Sequence, residues 1–259
     1  MWRKFMQQQT QSITSSDFDG GKHDVHTASE MYRSRFAGEV GKYFLERQAQ
    51  VVNDLLDKAS VAPRRVLEVG GGHGHLTEDL LKRGYEVVVH GSEEVCFTRL
   101  YELREKYPEK LSFVVGPLLA LPFEDKSFDA VISIRLISHV EDTHRFVSEL
   151  ARVAKHQVLV DFAPVGSFNL LYPLMFMIKQ NIEGSTRTFL RHKASEIRSL
   201  FRESNFRVAH MEREFFFPMV LHRAMKRVGF SRFIERLACS SKLTSVLGSP
   251  VLLIAEWLH

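Results

Sequence analysis

Val66-Leu67-Glu68-Val69-Gly70-Gly71-Gly72-His73-Gly74-His75-Leu76 joins a short apolar run to an amphipathic one through four glycines. The run before Gly70 reads as a buried strand, and the apolar spacing from Leu76 onward reads as a helix. Glycine reaches positive φ and carries no Cβ, so the backbone of such a turn can lie directly against a ligand. The helix behind it turns unpaired N–H groups and the positive end of its dipole toward the same place, which suits an anionic group such as a carboxylate. In open α/β sheets ligands settle at the carboxyl ends of the strands, where this turn lies.

Outward from the turn the pattern alternates. Residues 39–57 place Val40, Tyr43, Phe44, Val51, Val52, Leu55 and Leu56 on one helical face. Strands are expected over 66–69, 86–90, 111–115, 128–134 and 157–162, with helices over 76–82, 95–106 and 143–154 between them. This order implies βαβ units and a mostly parallel sheet covered on both faces. Beyond it the spacing predicts a helix over 194–202, a strand over 206–217, helical faces at 221–228 and 233–237, and a closing strand over 250–257.

The chain has 259 residues, 44% hydrophobic and 25% charged, enough for a sizeable core and too apolar for wholesale disorder. Lys plus Arg is 35 and Asp plus Glu is 31, a net +4 with no concentrated basic stripe, so no nucleic-acid partner is expected. Cys96 and Cys239 are the only cysteines; they make no disulfide framework, and no Cys/His cluster suggests a metal. The apolar run 170–178 is interrupted by Pro173 and falls short of the roughly 20 residues of a span, and the N-terminus lacks a signal-peptide core. A cytoplasmic protein with no integral membrane association is the expectation. Residues 1–25 read as a mobile arm and 26–259 as one domain, with a core at 60–162 and insertions at about 163–192 and 215–248.

The dinucleotide pattern GxGxxG would need glycine at 75, where His75 stands. Glu68, Gly70, Gly72 and Gly74 instead form Glu-x-Gly-x-Gly-x-Gly, which resembles motif I of the class I S-adenosylmethionine-dependent methyltransferases. Leu121-Pro122-Phe123-Glu124-Asp125-Lys126-Ser127-Phe128-Asp129 resembles the run into strand four of the small-molecule members of that family. Ile137-Ser138-His139-Val140-Glu141-Asp142 is similar to the family's segment just after strand four, and Glu149-Leu150-Ala151-Arg152-Val153 to its helix before strand five. The resemblance covers about residues 30–162. It implies a Rossmann-like α/β fold with seven strands, helices on both faces, an N-terminal lid helix and a helical C-terminal insertion.

The resemblance also implies methyl transfer from S-adenosyl-L-methionine to a small-molecule acceptor. Gly70, Gly71 and Gly72 would cradle the amino-acid end of the cofactor, Glu68 would lie near its ammonium group, and Tyr32 would sit in a lid above it. His90, Gly91 and Ser92 fall at the ribose position, Gly116, Pro117 and Leu118 at the adenine, and Ile134 at the end of strand four. His139 is the catalytic candidate, as a general base; a histidine at a helix start with no chemical task is the other reading. Arg135 and His192 are candidates for holding an anionic acceptor.

Two positions depart from the family pattern. Strand two should end in Asp or Glu accepting from both ribose hydroxyls, and His90 stands there. A neutral imidazole offers one acceptor, so His90→Asp is expected to tighten binding. After strand three the family has Gly-Asp, and here it is Gly116-Pro117, with no side-chain acceptor. An ordinary enzyme with compensating contacts, a weak binder and an inactive methyltransferase-like interaction module all remain open. The apolar stretches 168–182 and 215–219 read as a lid over a hydrophobic acceptor, or as core packing or a homodimer interface. Lys226, Arg227, Arg232 and Arg236, set among apolar helix positions, read as a solvated face or as a surface for anionic lipid.

Overall fold

The computed structural model describes residues 24–25, 34, 36–71, 74–167 and 190–258. The elements run α1 (Gly38–Lys58), β1 (Arg65–Val69), α2 (His75–Lys82), β2 (Glu86–Gly91), α3 (Tyr101–Lys106), β3 (Leu111–Val115), β4 (Phe128–Ser133), α4 (Thr143–Val153) and β5 (Ala154–Pro164). They continue through β6 (Arg191–His192), α5 (Ala194–Glu203), β7 (Phe206–Phe215), α6 (Met219–Met225), α7 (Val228–Ser240), α8 (Leu243–Leu247) and β8 (Ser249–Trp257). Seven strands form one sheet in the order β3-β2-β1-β4-β5-β8-β7, and the two-residue β6 pairs with the end of β5. β1 to β5 are parallel; β8 enters antiparallel between β5 and β7. The Rossmann-like α/β sheet that the resemblance implied is therefore present, with β8 as its reversed strand.

The period-two alternation of each strand sorts its side chains to two cores. Leu67, Val69, Val88 and Val131 point to one face, under α4 and α5, with Phe146, Leu150, Ile197 and Phe201. Val66, Val87, Val89 and Ile132 point to the other, where Val52, Leu55, Leu80 and Leu81 of α1 and α2 cover them. Burial on both faces explains why β1 and β2 read as nearly continuous apolar runs.

The motif-like run before β4 is tied down by one arginine. Arg152 at the end of α4 donates to the carbonyls of Leu121 and Phe123 and to the carboxylates of Asp125 and Glu149, while Glu149 accepts from the Leu121 amide at 2.8 Å. Asp142 caps α4, accepting from the Arg145 amide at 2.9 Å.

Three elements differ from their sequence reading. The helix expected over 95–106 is a 3-10 turn, Glu94–Phe97, followed by α3. Cys96, Phe97 and Leu100 are drawn into the core against β2, whereas α3 buries no side chain. β7 stops at Phe215 because the amides of Phe216 and Phe217 donate to the Glu235 carboxylate, each at 2.9 Å, instead of to a strand. α8, only five residues long, carries too little periodicity to be seen in sequence. The proposed lid at 168–182 lies outside the described residues, but Phe215 is core, its ring 4.1 Å from that of Phe44 on α1.

Candidate functional site

The glycine turn lies at the carboxyl end of β1, as the strand-turn-helix reading requires. Gly70 has φ +79° and Gly74 φ +72°, both in the left-handed region that favours glycine. A Cβ on Gly71 would lie 2.5 Å from the Glu68 carboxyl carbon, and one on Gly74 would lie 2.7 Å from Leu100. The turn thus packs its backbone directly onto Glu68. That carboxyl is buried, accepts from Thr77 Oγ1 at 2.6 Å and is raised by burial to about 7. Gly72 and Tyr32 lie outside the described residues.

At the end of β2, the Gly70 amide donates to the His90 carbonyl at 2.9 Å, locking the turn to the neighbouring strand. The His90 side chain is fully buried, and neither ring nitrogen has a hydrogen-bond partner among the described residues. Burial lowers its pKa to about 4, so the imidazole is neutral at ordinary pH. Gly116 follows the end of β3, its amide donating to the Gly91 carbonyl at 3.1 Å; a Cβ there would meet Pro122 at 2.8 Å and His90 Nε2 at 3.2 Å. Leu118 is fully buried, and Ile134 is half-buried past β4.

A carboxylate reaches the same strand end from far away in sequence. Asp24, fully buried, accepts from the Ser92 amide at 2.5 Å and from Ser92 Oγ, with Cys96 Sγ at 3.5 Å. Its Cβ lies 3.7 Å from where a Cβ on Gly70 would stand, so it leans over the glycine turn. Burial and the nearby Asp24 carboxylate push the Cys96 thiol up to about 12, which keeps it protonated. No sequence signal marks Asp24, because its partner is 68 residues away.

The ends of β4, β5 and β7 gather a second polar group. Arg135, with φ +63° just past β4, donates its amide to Asp161 on β5 at 2.6 Å. Its guanidinium donates to Gln48 of α1 at 2.8 and 2.5 Å, lies 3.2 Å from His75 Nε2 and covers the Phe36 ring. The guanidinium thus meets a side-chain amide, an imidazole and a ring, while only the Arg135 backbone amide meets a carboxylate, and Nη1 is buried with no partner among the described residues. Asp161 is buried and raised to about 6, chiefly by burial, with Arg135 opposing. Glu214 on β7 is raised to about 8 by burial and by repulsion from Asp161, and its Oε1 has no partner among the described residues. Both were missed in sequence; for Asp161 alone there is a signal, a charge inside the apolar strand run Val158-Leu159-Val160-Asp161-Phe162.

Glu214 lines a cleft of about 840 Å³ together with Tyr43, Arg47, Arg213 and Arg232. His139, the sequence candidate, ends a 3-10 turn (Ile137–His139) after β4 and is half-buried. The adjacent Ser138 accepts from the Leu190 amide at 2.7 Å and, through Oγ, from the Ala163 amide at 3.2 Å. His192 is buried on β6, 3.9 Å from Glu196, and burial lowers its pKa.

The family model described as a methyltransferase domain matches residues 67–160, the stretch from β1 into β5 that includes the glycine turn, His90 and Arg135 but not Asp24, Asp161 or Glu214. Over that stretch the chain is similar to methyltransferase domains. A norajmaline N-methyltransferase of Rauvolfia serpentina is 34% identical over 105 residues, covering 39% of this chain and 36% of that protein. A malonyl-[acyl-carrier protein] O-methyltransferase of Halorhodospira halophila is 34% identical over 124 residues, covering 46% and 42%. The chain thus matches less than half the length of these curated relatives. Among solved structures, a magnesium protoporphyrin IX methyltransferase from Synechocystis PCC 6803 with bound SAH aligns at TM-score 0.61 and 17% identity, covering 88% of this chain and 94% of that one. That likeness shows the methyltransferase fold over most of the chain.

Proposed function

We propose that this chain transfers a methyl group from S-adenosyl-L-methionine to a small acceptor bearing a hydroxyl or an amine. The observation that carries the reading is the glycine turn of the methyltransferase domain, seated on the buried Glu68 carboxyl at the end of β1. The residues present fit that cofactor. A ligand ammonium beside Glu68 would favour its charged form. The two unpartnered nitrogens of neutral His90 offer one donor and one acceptor.

Asp24 answers the missing strand-two carboxylate. In this reading the Ser92 amide holds Asp24 in place, and the two rotatable donors, Ser92 Oγ–H and Cys96 Sγ–H, yield to the ribose hydroxyls. Gly70, Gly71 and Gly72 take the amino-acid end, with Tyr32 above. Gly91 and Ser92 border the sugar, Gly116, Pro117 and Leu118 the base, and Ile134 closes the far side.

When bound, the cofactor supplies a methyl group on a sulfonium sulfur, already activated for transfer. The chain then has to align the acceptor and remove its proton. The acceptor is proposed to enter by the cleft that Glu214 lines. Asp161, ionised at neutral pH while Glu214 holds its proton, takes the proton that leaves the acceptor as its nitrogen or oxygen bonds to the methyl carbon. His139 is the second candidate for that role.

Calorimetric titration with S-adenosylmethionine and S-adenosylhomocysteine tests the reading. Wild type should bind both saturably, and Gly71→Val, whose side chain would collide with Glu68, should lose at least a hundredfold in affinity. The departures at His90 and Pro117 favour a second reading, a methyltransferase-like binding module that has lost its cofactor. Wild type that binds neither compound would select it.

A further inference from the structure

From residue 216 to residue 255 the chain has a single acidic side chain, Glu235, and it is buried, committed to His222 and to the amides of Phe216 and Phe217. The same stretch has six cations: Arg223, Lys226, Arg227, Arg232, Arg236 and Lys242. All but the half-buried Arg223 are exposed. α7 buries Ser231, Glu235 and Ala238, which leaves Phe230, Phe233 and Leu237 on its outer side. These three stand at i, i+3 and i+7, one stripe of a helix.

The stripe is open to solvent: Phe233 is 62% exposed and Leu237 61%. After the left-handed turn at Lys242, α8 adds Leu243, Val246 and Leu247, with Val246 63% exposed. Six of the twelve exposed large apolar side chains among the described residues therefore fall between 230 and 247. Scattered exposed leucines need no explanation, but this concentration does. An apolar helix face rimmed by cations, in a stretch that exposes no acid of its own, matches the chemistry of an anionic bilayer surface, while Glu46 of α1 lies 3.9 Å from Arg232 on the cleft side.

We propose that α7 and α8 form a docking surface for a membrane containing anionic lipid. Phe230, Phe233, Leu237 and Val246 enter the headgroup–acyl boundary, and Lys226, Arg227 and Lys242 meet the lipid phosphates and carboxylates. No helix among the described residues is long and apolar enough to cross a membrane, so the attachment is peripheral. On their other side α7 and α8 contribute Arg232, Arg236, Cys239 and Thr244 to the cleft lined by Glu214. Docking therefore brings that cleft to the lipid surface. The proposal stands without the methyltransferase reading, since it concerns binding alone.

Co-sedimentation of the full chain with vesicles tests it, comparing pure phosphatidylcholine with phosphatidylcholine containing about 30% phosphatidylserine. Wild type should partition at least tenfold more strongly onto the anionic vesicles. Phe233→Glu/Leu237→Glu should reduce that partitioning at least tenfold, and Lys226→Glu/Arg227→Glu should reduce it several-fold with an unchanged thermal melt. Raising the salt should weaken binding without abolishing it, because the apolar part is not screened. Equal partitioning onto both vesicle types, or onto neither, would overturn the proposal. So would a wild-type dimer in sedimentation velocity that Phe233→Glu converts to monomer while vesicles are ignored, since a second copy would then own the face.

Discussion

At the end of β2 a buried histidine with two unpartnered nitrogens shares its surroundings with one carboxylate, Asp24. At the ends of β4, β5 and β7, along the same edge of the sheet, one arginine stands among buried carboxyls that sit near neutral pH. In the first region His90 stays neutral across the physiological range, because it ionises only near pH 4. The second is poised to exchange protons. A rigid polar frame suits recognition of a neutral nucleoside, whereas a poised cluster suits removal of a proton from an acceptor.

The sharpest way to break this division is Asp161→Asn. If the cluster at β4 and β5 does the proton chemistry, kcat should fall roughly 10²–10³-fold, the range of a lost general base. Cofactor affinity should hold within a factor of about three, because Asp161 serves the acceptor side in this scheme. Turnover and calorimetry on one preparation separate the two effects. A variant that keeps its turnover would shift the role to His139, whose His139→Ala change should then show the large loss.

Asp24→Asn probes the other region. Removing a charged hydrogen-bond partner costs about 1.5–3 kcal/mol, on the order of 10–100-fold in Kd for S-adenosylmethionine. If binding tightens instead, Asp24 occupies the cofactor's place and competes with it. His90→Asp alone, read from sequence, should improve affinity; with Asp24 already present it should fail to, because two buried carboxylates would repel. In the Asp24→Asn background the same change should recover most of the loss. That pattern of non-additivity is expected only if both residues serve one ligand group.

The two regions were not equally legible in the sequence. Local devices were visible: the apolar strand runs and the glycine turn. Their partners lie within a few residues or across adjacent strands, so pattern alone encodes them. Asp24 with Ser92, and Gln48 with Arg135, meet only because the chain folds back over 68 and 87 residues. Glu214 was hidden by composition, since in Met211-Glu212-Arg213-Glu214-Phe215 it looks like one more solvated charge on an edge strand. The packing of α1 against β7 buries it. The break at Phe215 was equally invisible, since it depends on Glu235 reaching back from α7.

The smallest expected effect concerns stability, and its sign follows from the carboxyls. Glu68, Asp161 and Glu214 have folded pKa values of about 7, 6 and 8, against roughly 4–4.5 for free carboxyls. The folded state holds these protons more tightly than the unfolded state. Unfolding therefore releases protons, and stability falls as pH rises from about 4.5 to 8, then levels off. His90 acts in the opposite direction: its folded pKa of about 4 lies below the unfolded 6.5, so its contribution is lost as pH falls through that interval. Three raised carboxyls outweigh one lowered imidazole, so these four groups together lower stability as pH rises from about 4.5 to 8. Glu214→Gln keeps the volume and the neutral form, so it should leave stability near pH 5 almost unchanged and raise it at pH 8.5 by roughly 1–3 kcal/mol. Urea titrations at the two pH values measure the difference. A gain of equal size at both would mean that Glu214 is destabilising for reasons of packing, and no gain at either would mean that water reaches its carboxylate through the cleft and lets it ionise freely.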